Sequence, residues 1–260
     1  MLRSLNEMFS LEGKTAIVTG SGGGIGKGIA AGLAAAGADI VIGEIDNEKM
    51  ISTAEEIRRG FKVRVLEVET DVQREDQVEE MVNRTISTFG TVDILVNNAG
   101  IGIRKLPQEM SIEEWDRNIN INLRAVFMCS KAVFPVMKKR KKGKIINIGS
   151  LYSIFGSPNM PAYAASKGGV VQFTKSLAIA WAVENIQVNA IVPGWINTDL
   201  SAGAKRARPD IEQAVISRTP SGRWGEPEDI AGAAVFLSSP ASDFITGIAL
   251  PVDGGYSTVP

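Results

Sequence analysis

The chain has 260 residues, of which 44% are hydrophobic and 22% charged, and its formal net charge at pH 7 is −1. This composition is typical of a globular protein with a full hydrophobic core, and it excludes disordered and fibrous classes. Because the near-neutral charge offers no long-range attraction to nucleic acid or to an anionic membrane, we expect neither as a partner. No run reaches the ~18 apolar residues of a membrane span, and residues 1–10 lack the apolar segment of a signal peptide, so we expect a cytoplasmic protein.

Short β-rich runs alternate with helical patterns along the chain. Strands are predicted at residues 15–19, 40–43, 63–68, 92–96, 144–148, 187–192 and 248–252. Helices are predicted at residues 25–36, 48–59, 75–89, 112–139, 161–184 and 228–237. Such alternation predicts a parallel sheet covered by helices on both faces. Because the sequence has no repeat, linker or low-complexity tract, the predicted fold is α/β, a single-domain Rossmann-type doubly wound parallel sheet over residues 1–260.

A glycine-rich stretch, TGSGGGIG at residues 19–26, joins the first predicted strand to the first predicted helix. Glycine costs about 1 kcal/mol in a helix interior relative to alanine, so this density indicates that another group approaches the main chain closely. Gly20 would permit a tight turn, Gly24 would bring a pyrophosphate to the helix N-terminus, and Gly26 would let helix and strand pack. The stretch therefore predicts a dinucleotide-binding loop, with a merely flexible turn as the alternative.

An acidic residue, Glu44, ends the second predicted strand about 20 residues beyond the glycines. A carboxylate there can accept hydrogen bonds from an adenosine ribose and repels a 2′-phosphate, and we favour Glu44 over Asp46 for this role. Positions 21–23 offer no arginine or lysine to bind such a phosphate. The sequence therefore predicts NAD rather than NADP as cofactor, with Glu44 as a solvated strand-end acid as the alternative.

The sequence limits which groups can move a proton. It has no histidine and a single cysteine, Cys129, so no zinc site of the usual kind and no imidazole base are expected, and we predict no bound metal. Cys129 lies in an apolar helical pattern and is predicted to be a buried, reduced thiol. Tyr163 and Lys167 are four residues apart at the start of a predicted helix, on one face. A lysine ammonium, together with an oxidised nicotinamide, is expected to lower the pKa of the phenol, although such a pair on its own is often structural.

Several ordered motifs together resemble the classical short-chain dehydrogenase/reductase family over essentially the whole chain. They are TGSGGGIG at 19–26, NNAG at 97–100, Ser150, Tyr163-x-x-x-Lys167 and Pro193-Gly194. The resemblance implies hydride transfer between a nicotinamide and a carbonyl or alcohol, in an enzyme that is usually a homotetramer.

The resemblance also implies roles for four catalytic residues. Tyr163 would be the general acid/base, Ser150 would orient the substrate, and Lys167 would hold the nicotinamide ribose. Asn122 matches the asparagine that supports a water-linked proton path in the family, with Asn120 in reserve and a merely bridging amide as the alternative. Ser150 follows a predicted strand at its carboxyl end, where open α/β sheets bind ligands, so an oxyanion formed there would meet two hydroxyl donors.

By the same resemblance a further set of residues would line the cofactor. These are Ser21, Ile25, Asp71, Val72, Asn98, Ala99, Gly100, Pro193, Gly194, Ile196 and Thr198. Strand ends and turns favour such residues in any case, so Asp71 as a helix cap and Pro193-Gly194 as a turn are alternatives.

Substrate identity depends on two weaker features. In the family, a substrate lid occupies the region of residues 195–222, where Trp195 is a candidate ligand. The segment IGIRKL after NNAG resembles the corresponding segment of gluconate and deoxygluconate dehydrogenases, as do RTPSGRWGEPEDI at 218–230 and VDGG at 252–255. Arg104 in the first of these could grip a substrate carboxylate with its two-pronged guanidinium, or be a solvated loop cation.

Three functions remain open at this stage. The favoured one is an NAD-dependent oxidoreductase that acts on a secondary alcohol or ketone of a sugar acid or polyol. The second is a 3-oxoacyl-carrier-protein reductase that uses NADPH, and the third is a non-catalytic nucleotide-binding scaffold.

Overall fold

Seven strands run parallel in one sheet of the computed structural model, which describes residues 4–259; residues 1–3 and 260 of the predicted domain lie outside it. The strands are β1 (Thr15–Thr19), β2 (Asp39–Glu44), β3 (Val65–Glu69), β4 (Ile94–Asn97), β5 (Gly143–Ile148), β6 (Ile186–Pro193) and β7 (Ala249–Val252). Their order across the sheet is β3-β2-β1-β4-β5-β6-β7. The predicted doubly wound parallel sheet is therefore confirmed, and the order reverses between β1 and β4, where such sheets bind ligands.

Helices cover both faces of this sheet. They are α1 (Leu5–Phe9), α2 (Gly24–Ala35), α3 (Asn47–Gly60), α4 (Glu75–Phe89), α5 (Ile112–Ile119), α6 (Ala125–Arg140), α7 (Pro161–Trp181), α8 (Asp199–Ala207), α9 (Ile211–Arg218) and α10 (Pro227–Ser238). The long helix predicted at 112–139 is interrupted by a π-helical turn, Asn120–Arg124, in which the Ala125 amide donates to the Asn120 carbonyl. Three helices were not predicted individually: α1, and α8 and α9 in the expected lid.

The core consists of two apolar layers, one on each face of the sheet. Val18 of β1 packs on the side of α2 and α10, whereas its neighbour Ile17 packs on the side of α4 and α6, as alternation along a strand requires. Cys129 lies in the second layer with 1% of its surface exposed, and burial raises the pKa of its thiol to about 12. The predicted buried thiol is therefore confirmed.

Close packing of α2 against α10 fixes the helix that follows the glycine-rich stretch. A Cβ atom at Gly28 would lie 2.6 Å from Pro227 Cβ, and one at Gly32 would lie 2.7 Å from Ala231 Cβ, so neither position accepts a side chain without movement. The N-terminus of α2 is therefore held rigidly at the carboxyl edge of the sheet. Among the described residues, no helix is both long and apolar enough to cross a membrane.

Candidate active site

A cavity of about 840 Å³ opens at the carboxyl edge of the sheet. Six strands end at it, each contributing a residue at or just after its end: Gly20, Glu44, Thr70, Asn98, Gly149 and Gly194. The cavity therefore occupies the position where the strand order reverses, and its size suits a small-molecule ligand.

Most residues predicted for the site line this cavity. They are Gly20, Gly24, Ile25, Glu44, Asp71, Val72, Asn98, Ala99, Gly100, Arg104, Ser150, Tyr163, Lys167, Pro193, Gly194, Trp195, Ile196 and Thr198. Three others do not line the cavity and are buried: Ser21, Gly26 and Asn122. Ser21 is fully buried and its hydroxyl donates to the Val18 carbonyl at 2.8 Å, so its side chain supports the turn from inside.

The glycine-rich loop is packed directly against the loop after β4. Gly20 has φ +63°, and a Cβ atom there would lie 2.8 Å from Ala99 Cα. A Cβ atom at Gly26 would lie 2.3 Å from both the Gly20 carbonyl oxygen and Asn98 Nδ2. The Asn98 side-chain amide joins the two loops, because it donates to the carbonyls of Thr19 at 2.9 Å and Gly20 at 2.8 Å. Glycine is therefore required at 20 and 26 by packing within the protein.

The N-terminus of α2 faces open space in the cavity. Gly23 is its N-cap residue and provides no side-chain cap, and a Cβ atom at Gly23 would meet no atom within 4 Å. The first N–H groups of a helix lack partners within the helix and carry its positive dipole end. This geometry fits an anionic phosphate, so the residues present fit a dinucleotide cofactor.

Glu44 is fixed beside the glycine-rich loop by backbone amides. Its Oε2 accepts from the Gly22 amide at 2.9 Å, and its Oε1 accepts from Ile45 at 2.9 Å and Asp46 at 3.2 Å. Asp46 instead caps α3 by accepting from the Lys49 amide at 3.1 Å. The preference for Glu44 over Asp46 as the acid that faces the loop therefore has a structural basis.

A cation that the sequence reasoning missed lies on the same wall. Lys49 lines the cavity, and its Nζ forms an ion pair with Asp199 of α8 at 3.0 Å. The hydrogen bond to Asp199 raises the pKa of Lys49. Lys49 is remote in sequence from positions 21–23, and α3 brings it to the cavity.

Asp71 and the Pro193-Gly194 pair have structural roles that differ from their stated alternatives. Asp71 accepts from the Gln73 amide at 2.9 Å and so caps a turn; the N-cap residue of α4 is Arg74. Pro193 ends β6, and a Cβ atom at Gly194 would lie 2.6 Å from Asp253 Cα. Gly194 thus allows the chain ends after β6 and β7 to approach closely.

Ser150, Tyr163 and Lys167 form one group on the cavity wall. Lys167 is 4% exposed, and its Nζ donates to the Ile148 carbonyl at 2.7 Å and lies 5.7 Å from the Tyr163 ring centroid. Ser153 links the other two elements, because its hydroxyl accepts from the Ser150 amide at 3.1 Å and donates to the Lys167 carbonyl at 2.8 Å. Ser153 therefore fixes the segment after β5 relative to the first turns of α7.

Burial dominates the acid–base properties of this group. It raises the pKa of Tyr163, while the Ser150 side chain opposes that rise, and it lowers the pKa of Lys167 to about 8. The lowering of the phenol pKa by Lys167 together with an oxidised nicotinamide stays a prediction, whereas in the protein alone burial disfavours the phenolate and is the largest effect. Tyr163 is thus protonated at neutral pH.

Asn122 lies in the π-helical turn and is completely buried. Its Oδ1 accepts from the Ile101 amide at 2.8 Å, and its Nδ2 donates to the Ile101 carbonyl at 2.9 Å and to Ser166 Oγ at 3.2 Å. The amide therefore bridges backbone groups, which was the alternative reading, and fixes the loop after β4 to α7. Asn120, the reserve candidate, begins the turn.

The predicted substrate residues lie on the outer part of the cavity. Arg104 is exposed, and its Nη1 has a long hydrogen bond to Asn159 Oδ1 at 3.4 Å. Trp195 packs against Trp224 with 5.3 Å between ring centroids. Thr198 caps α8 by accepting from the Ser201 amide, and its Cγ2 would lie 3.1 Å from a Cβ atom at Gly24. The predicted lid region thus begins against the glycine-rich loop.

Two aromatic cavity residues, Tyr152 and Tyr256, were not predicted. Both line the cavity, although one follows β5 and the other follows β7. Nothing in their local sequence indicates a ligand, and only the folded chain brings them together.

Comparison with known proteins places the chain among enzymes of one family. A family model described as enoyl-(acyl carrier protein) reductase matches residues 20–257. The 2-dehydro-3-deoxy-D-gluconate 5-dehydrogenase of Bacillus subtilis is 45% identical over 258 residues, covering 97% of this chain and 98% of that protein. The 3-oxoacyl-(acyl-carrier-protein) reductase of Thermotoga maritima is 38% identical over 245 residues, covering 94% and 98%.

A solved structure agrees with this placement. The gluconate 5-dehydrogenase from Burkholderia cenocepacia, crystallised in complex with NADP and tartrate, superposes with a TM-score of 0.92 at 39% identity, covering 99% of this chain and 100% of that chain. Sequence and fold are thus shared over nearly the full length. The chain belongs to the short-chain dehydrogenase/reductase family and is an oxidoreductase that acts on CH–OH groups with a nicotinamide cofactor.

Proposed function

We propose that the chain is an NAD-dependent dehydrogenase of a sugar acid or polyol, acting on a secondary alcohol or the corresponding ketone. The observation that carries the proposal is the grouping of Ser150, Tyr163 and Lys167 on the wall of the cavity that also contains the open N-terminus of α2. The names of the Bacillus and Burkholderia relatives support a sugar acid as substrate.

The cofactor is held by residues along the carboxyl edge of the sheet. The backbone of Gly20 to Gly26 and the first turn of α2 bind its phosphates. Asp71 and Val72 would flank the adenine, Asn98 to Gly100 would line the cofactor, and Lys167 would hold the nicotinamide ribose. Pro193, Gly194, Ile196 and Thr198 would contact the nicotinamide half. When bound, the nicotinamide accepts or supplies the hydride.

Tyr163 moves the proton at the substrate oxygen. Its raised pKa keeps the phenol protonated at neutral pH, so it donates to the oxygen in carbonyl reduction. In alcohol oxidation the phenolate is the form that accepts the proton, and the positive charge of an oxidised nicotinamide would favour that form. Ser150 donates a hydrogen bond to the same oxygen and stabilises negative charge that develops there. The Ile148 carbonyl accepts from Lys167 Nζ and so fixes the ammonium near the Tyr163 ring. Asn122 supports the proton path indirectly, because its amide fixes the loop after β4 through Ile101.

Glu44 supports NAD as the preferred cofactor. Its carboxylate is fixed by the Gly22, Ile45 and Asp46 amides, where a 2′-phosphate would meet a negative charge. Two observations favour NADP instead: the Lys49 ammonium on the same cavity wall can attract a 2′-phosphate, and the Burkholderia structure contains NADP. Because Lys49 is already paired with Asp199, we assign the larger effect to Glu44.

Two variants that each replace a carboxylate by a neutral amide test this preference. Glu44→Gln keeps the size of the side chain and should lower the ratio of kcat/KM for NAD⁺ over NADP⁺ at least about tenfold, since it removes one repulsive charge. Asp46→Asn is the matched control, because asparagine also caps a helix, and its ratio should stay near that of the wild type. Equal ratios for wild type and Glu44→Gln would remove the role of Glu44.

Arg104 is proposed to bind the carboxylate of a sugar acid. It lines the cavity, and within residues 4–259 its one side-chain hydrogen bond is the long contact to Asn159, whereas its neighbour Lys105 is paired with Glu114 at 2.6 Å. A guanidinium can engage a carboxylate through two hydrogen bonds. The region of residues 195–222, which contains α8 and α9, is proposed to be the substrate lid.

A homotetramer is proposed from exposed apolar side chains on three helices. Ile112, Phe127 and Ile179 have 70%, 49% and 80% of their surfaces exposed on α5, α6 and α7. A Cβ atom at Gly168 of α7 would meet no atom within 4 Å, so this helix can approach a second copy closely. Light scattering in solution gives the mass that tests this.

The second candidate is a 3-oxoacyl-carrier-protein reductase. The Thermotoga relative favours it, whereas Glu44 and the lack of a base at Gly23 oppose the NADPH that this reaction usually takes. The deciding experiment measures absorbance of reduced nicotinamide with NAD⁺ or NADP⁺ and a panel of sugar acids, neutral sugars and polyols. It also runs an oxoacyl thioester with NADH or NADPH. Turnover of carboxylated sugars with NAD⁺ supports the proposal, and NADPH-linked thioester reduction alone would replace it.

A further inference from the structure

All three tyrosines of the 260-residue chain line the same cavity. They are Tyr152, Tyr163 and Tyr256, and they come from the segment after β5, from α7 and from the segment after β7. Each is half-buried, so part of each side chain remains open to the cavity. Tyr163 has an assigned role in proton transfer, which leaves the other two without one.

The rings of the two additional tyrosines are held firmly. Tyr152 stands edge-on to Tyr163 at 6.0 Å and to Trp195 at 6.4 Å between ring centroids. The Tyr256 ring is edge-on to Phe155 at 6.5 Å, and the Arg218 guanidinium of α9 lies 4.6 Å from its centroid. Aromatic and cation–π contacts of this kind fix ring orientation.

Their hydroxyl groups, by contrast, are uncommitted. Within residues 4–259 neither the Tyr152 nor the Tyr256 hydroxyl has a hydrogen-bond partner among the protein groups. Arg208 lies in the proposed lid, and its pKa is raised mainly by Asp210 and to a smaller extent by Tyr152 and Tyr256. Two fixed rings whose hydroxyls have no partner among the described residues therefore line the cavity that also contains the catalytic tyrosine.

We propose that Tyr152 and Tyr256 are substrate-binding residues whose hydroxyls form hydrogen bonds with hydroxyl groups of the substrate beyond the reacting carbon. The inference rests on the proposed function and deepens it, because it assigns the preference for a polyhydroxylated chain to these two residues. A substrate without additional hydroxyls, such as an acyl chain, leaves both phenols unpaired in a partly desolvated cavity, and sites of this kind discriminate strongly.

Substitution by phenylalanine isolates the hydroxyls. Tyr152→Phe and Tyr256→Phe keep the rings and their packing, and they break no hydrogen bond between the hydroxyls and other described residues. The control is Ser87→Ala, which removes an exposed hydroxyl from α4, remote from the cavity lining. Each purified enzyme is titrated, as its NADH complex, with D-gluconate and with hexanoate, a carboxylate of equal chain length that lacks hydroxyls.

The two tyrosine variants should bind D-gluconate about tenfold more weakly, with an increase in KM for oxidation of D-gluconate larger than the change in kcat. Hexanoate affinity should stay unchanged or rise, because each variant removes a phenol that hexanoate leaves unpaired. NADH affinity should stay within about twofold of the wild type, and Ser87→Ala should change none of these values. Unchanged D-gluconate affinity in both tyrosine variants would overturn the inference, as would an equal loss of hexanoate affinity.

The substrates that the wild-type enzyme oxidises distinguish a failure of this inference from a failure of the proposed function. If it oxidises sorbitol and not D-gluconate, the sugar-acid part of the proposed function fails, and a tenfold loss with sorbitol in the tyrosine variants still supports their role. If it oxidises D-gluconate and the variants equal the wild type, only the tyrosine inference fails. If it turns over no polyhydroxylated compound, both fail.

Discussion

Replacing Gly20 by alanine should destabilise the fold strongly, whereas the same change at Gly23, three residues further along the loop, should destabilise it much less. At Gly20 the backbone has φ +63° and the new Cβ atom would lie 2.8 Å from the main-chain Cα of Ala99. The left-handed conformation costs about 1–2 kcal/mol and the overpacking about 1–3 kcal/mol, which gives a loss of about 2–5 kcal/mol.

Gly23 is the matched control in this comparison. Its φ of −167° is extended backbone, and a Cβ atom there would meet nothing within 4 Å. Only the weaker capping preference of alanine applies, which costs about 1 kcal/mol. Urea unfolding followed by tryptophan fluorescence, at one protein concentration for all variants, measures both values.

The comparison has a clear refuting result. Equal losses at the two positions, or a loss below about 1 kcal/mol for Gly20→Ala, would show that the loop after β1 relaxes freely instead of being locked against Ala99. In that case the rigidity assigned to the glycine-rich loop would be wrong. Any loss of NADH affinity in Gly23→Ala would come from its Cβ atom entering the space proposed for the phosphates, because that atom contacts no protein group.

Two other buried groups give predictions of a different kind. Folding lowers the pKa of Lys167 from 10.5 to about 8, so the unfolded chain binds more protons between these pH values and the free energy of unfolding rises with pH. Between pH 8 and 10, the free energy of unfolding of the wild type should rise by about 2 kcal/mol relative to that of Lys167→Met. Urea unfolding of both proteins at each pH measures this difference. A constant difference between the two proteins would contradict this. Cys129 should not react with a thiol reagent in the folded protein at pH 8 and should react after denaturation, because burial raises its pKa to about 12. Rapid labelling of the native protein would show that the apolar layer around it opens.

The sheet and most helices could be predicted because their apolar residues repeat regularly. The observed α4, Glu75–Phe89, has the predicted bounds, since one periodic face ends at Gly90, which adopts φ +81° as the C-cap. The interruption of the helix at 112–139 was not predictable, because a π-helical turn adds one residue while leaving the pattern helical. Helices α8 and α9 have a mixed composition that gave only a general helix-loop expectation.

In the site, spacing identified the residues but not their environment. The positions of Ser150, Tyr163 and Lys167 follow from the motif, whereas the rise in the pKa of Tyr163 depends on burial by distant segments. Tyr152 and Tyr256 are more than a hundred residues apart in the chain and line one cavity only after β5 and β7 join one sheet. Long-range packing therefore accounts for what the local sequence could not indicate.

The most direct measurement compares the wild type with Tyr163→Phe for D-gluconate-dependent reduction of NAD⁺, alongside the NADH affinity of both proteins. Phenylalanine keeps the ring and removes the group that transfers the proton. The variant should bind NADH within about twofold of the wild type and lose at least about 10³-fold in kcat, toward the upper part of the range for general acid–base catalysis. A variant that keeps wild-type turnover would show that Tyr163 is not the proton-transfer group, and a wild type that binds NADH without turning over any alcohol or ketone would leave only a nucleotide-binding scaffold.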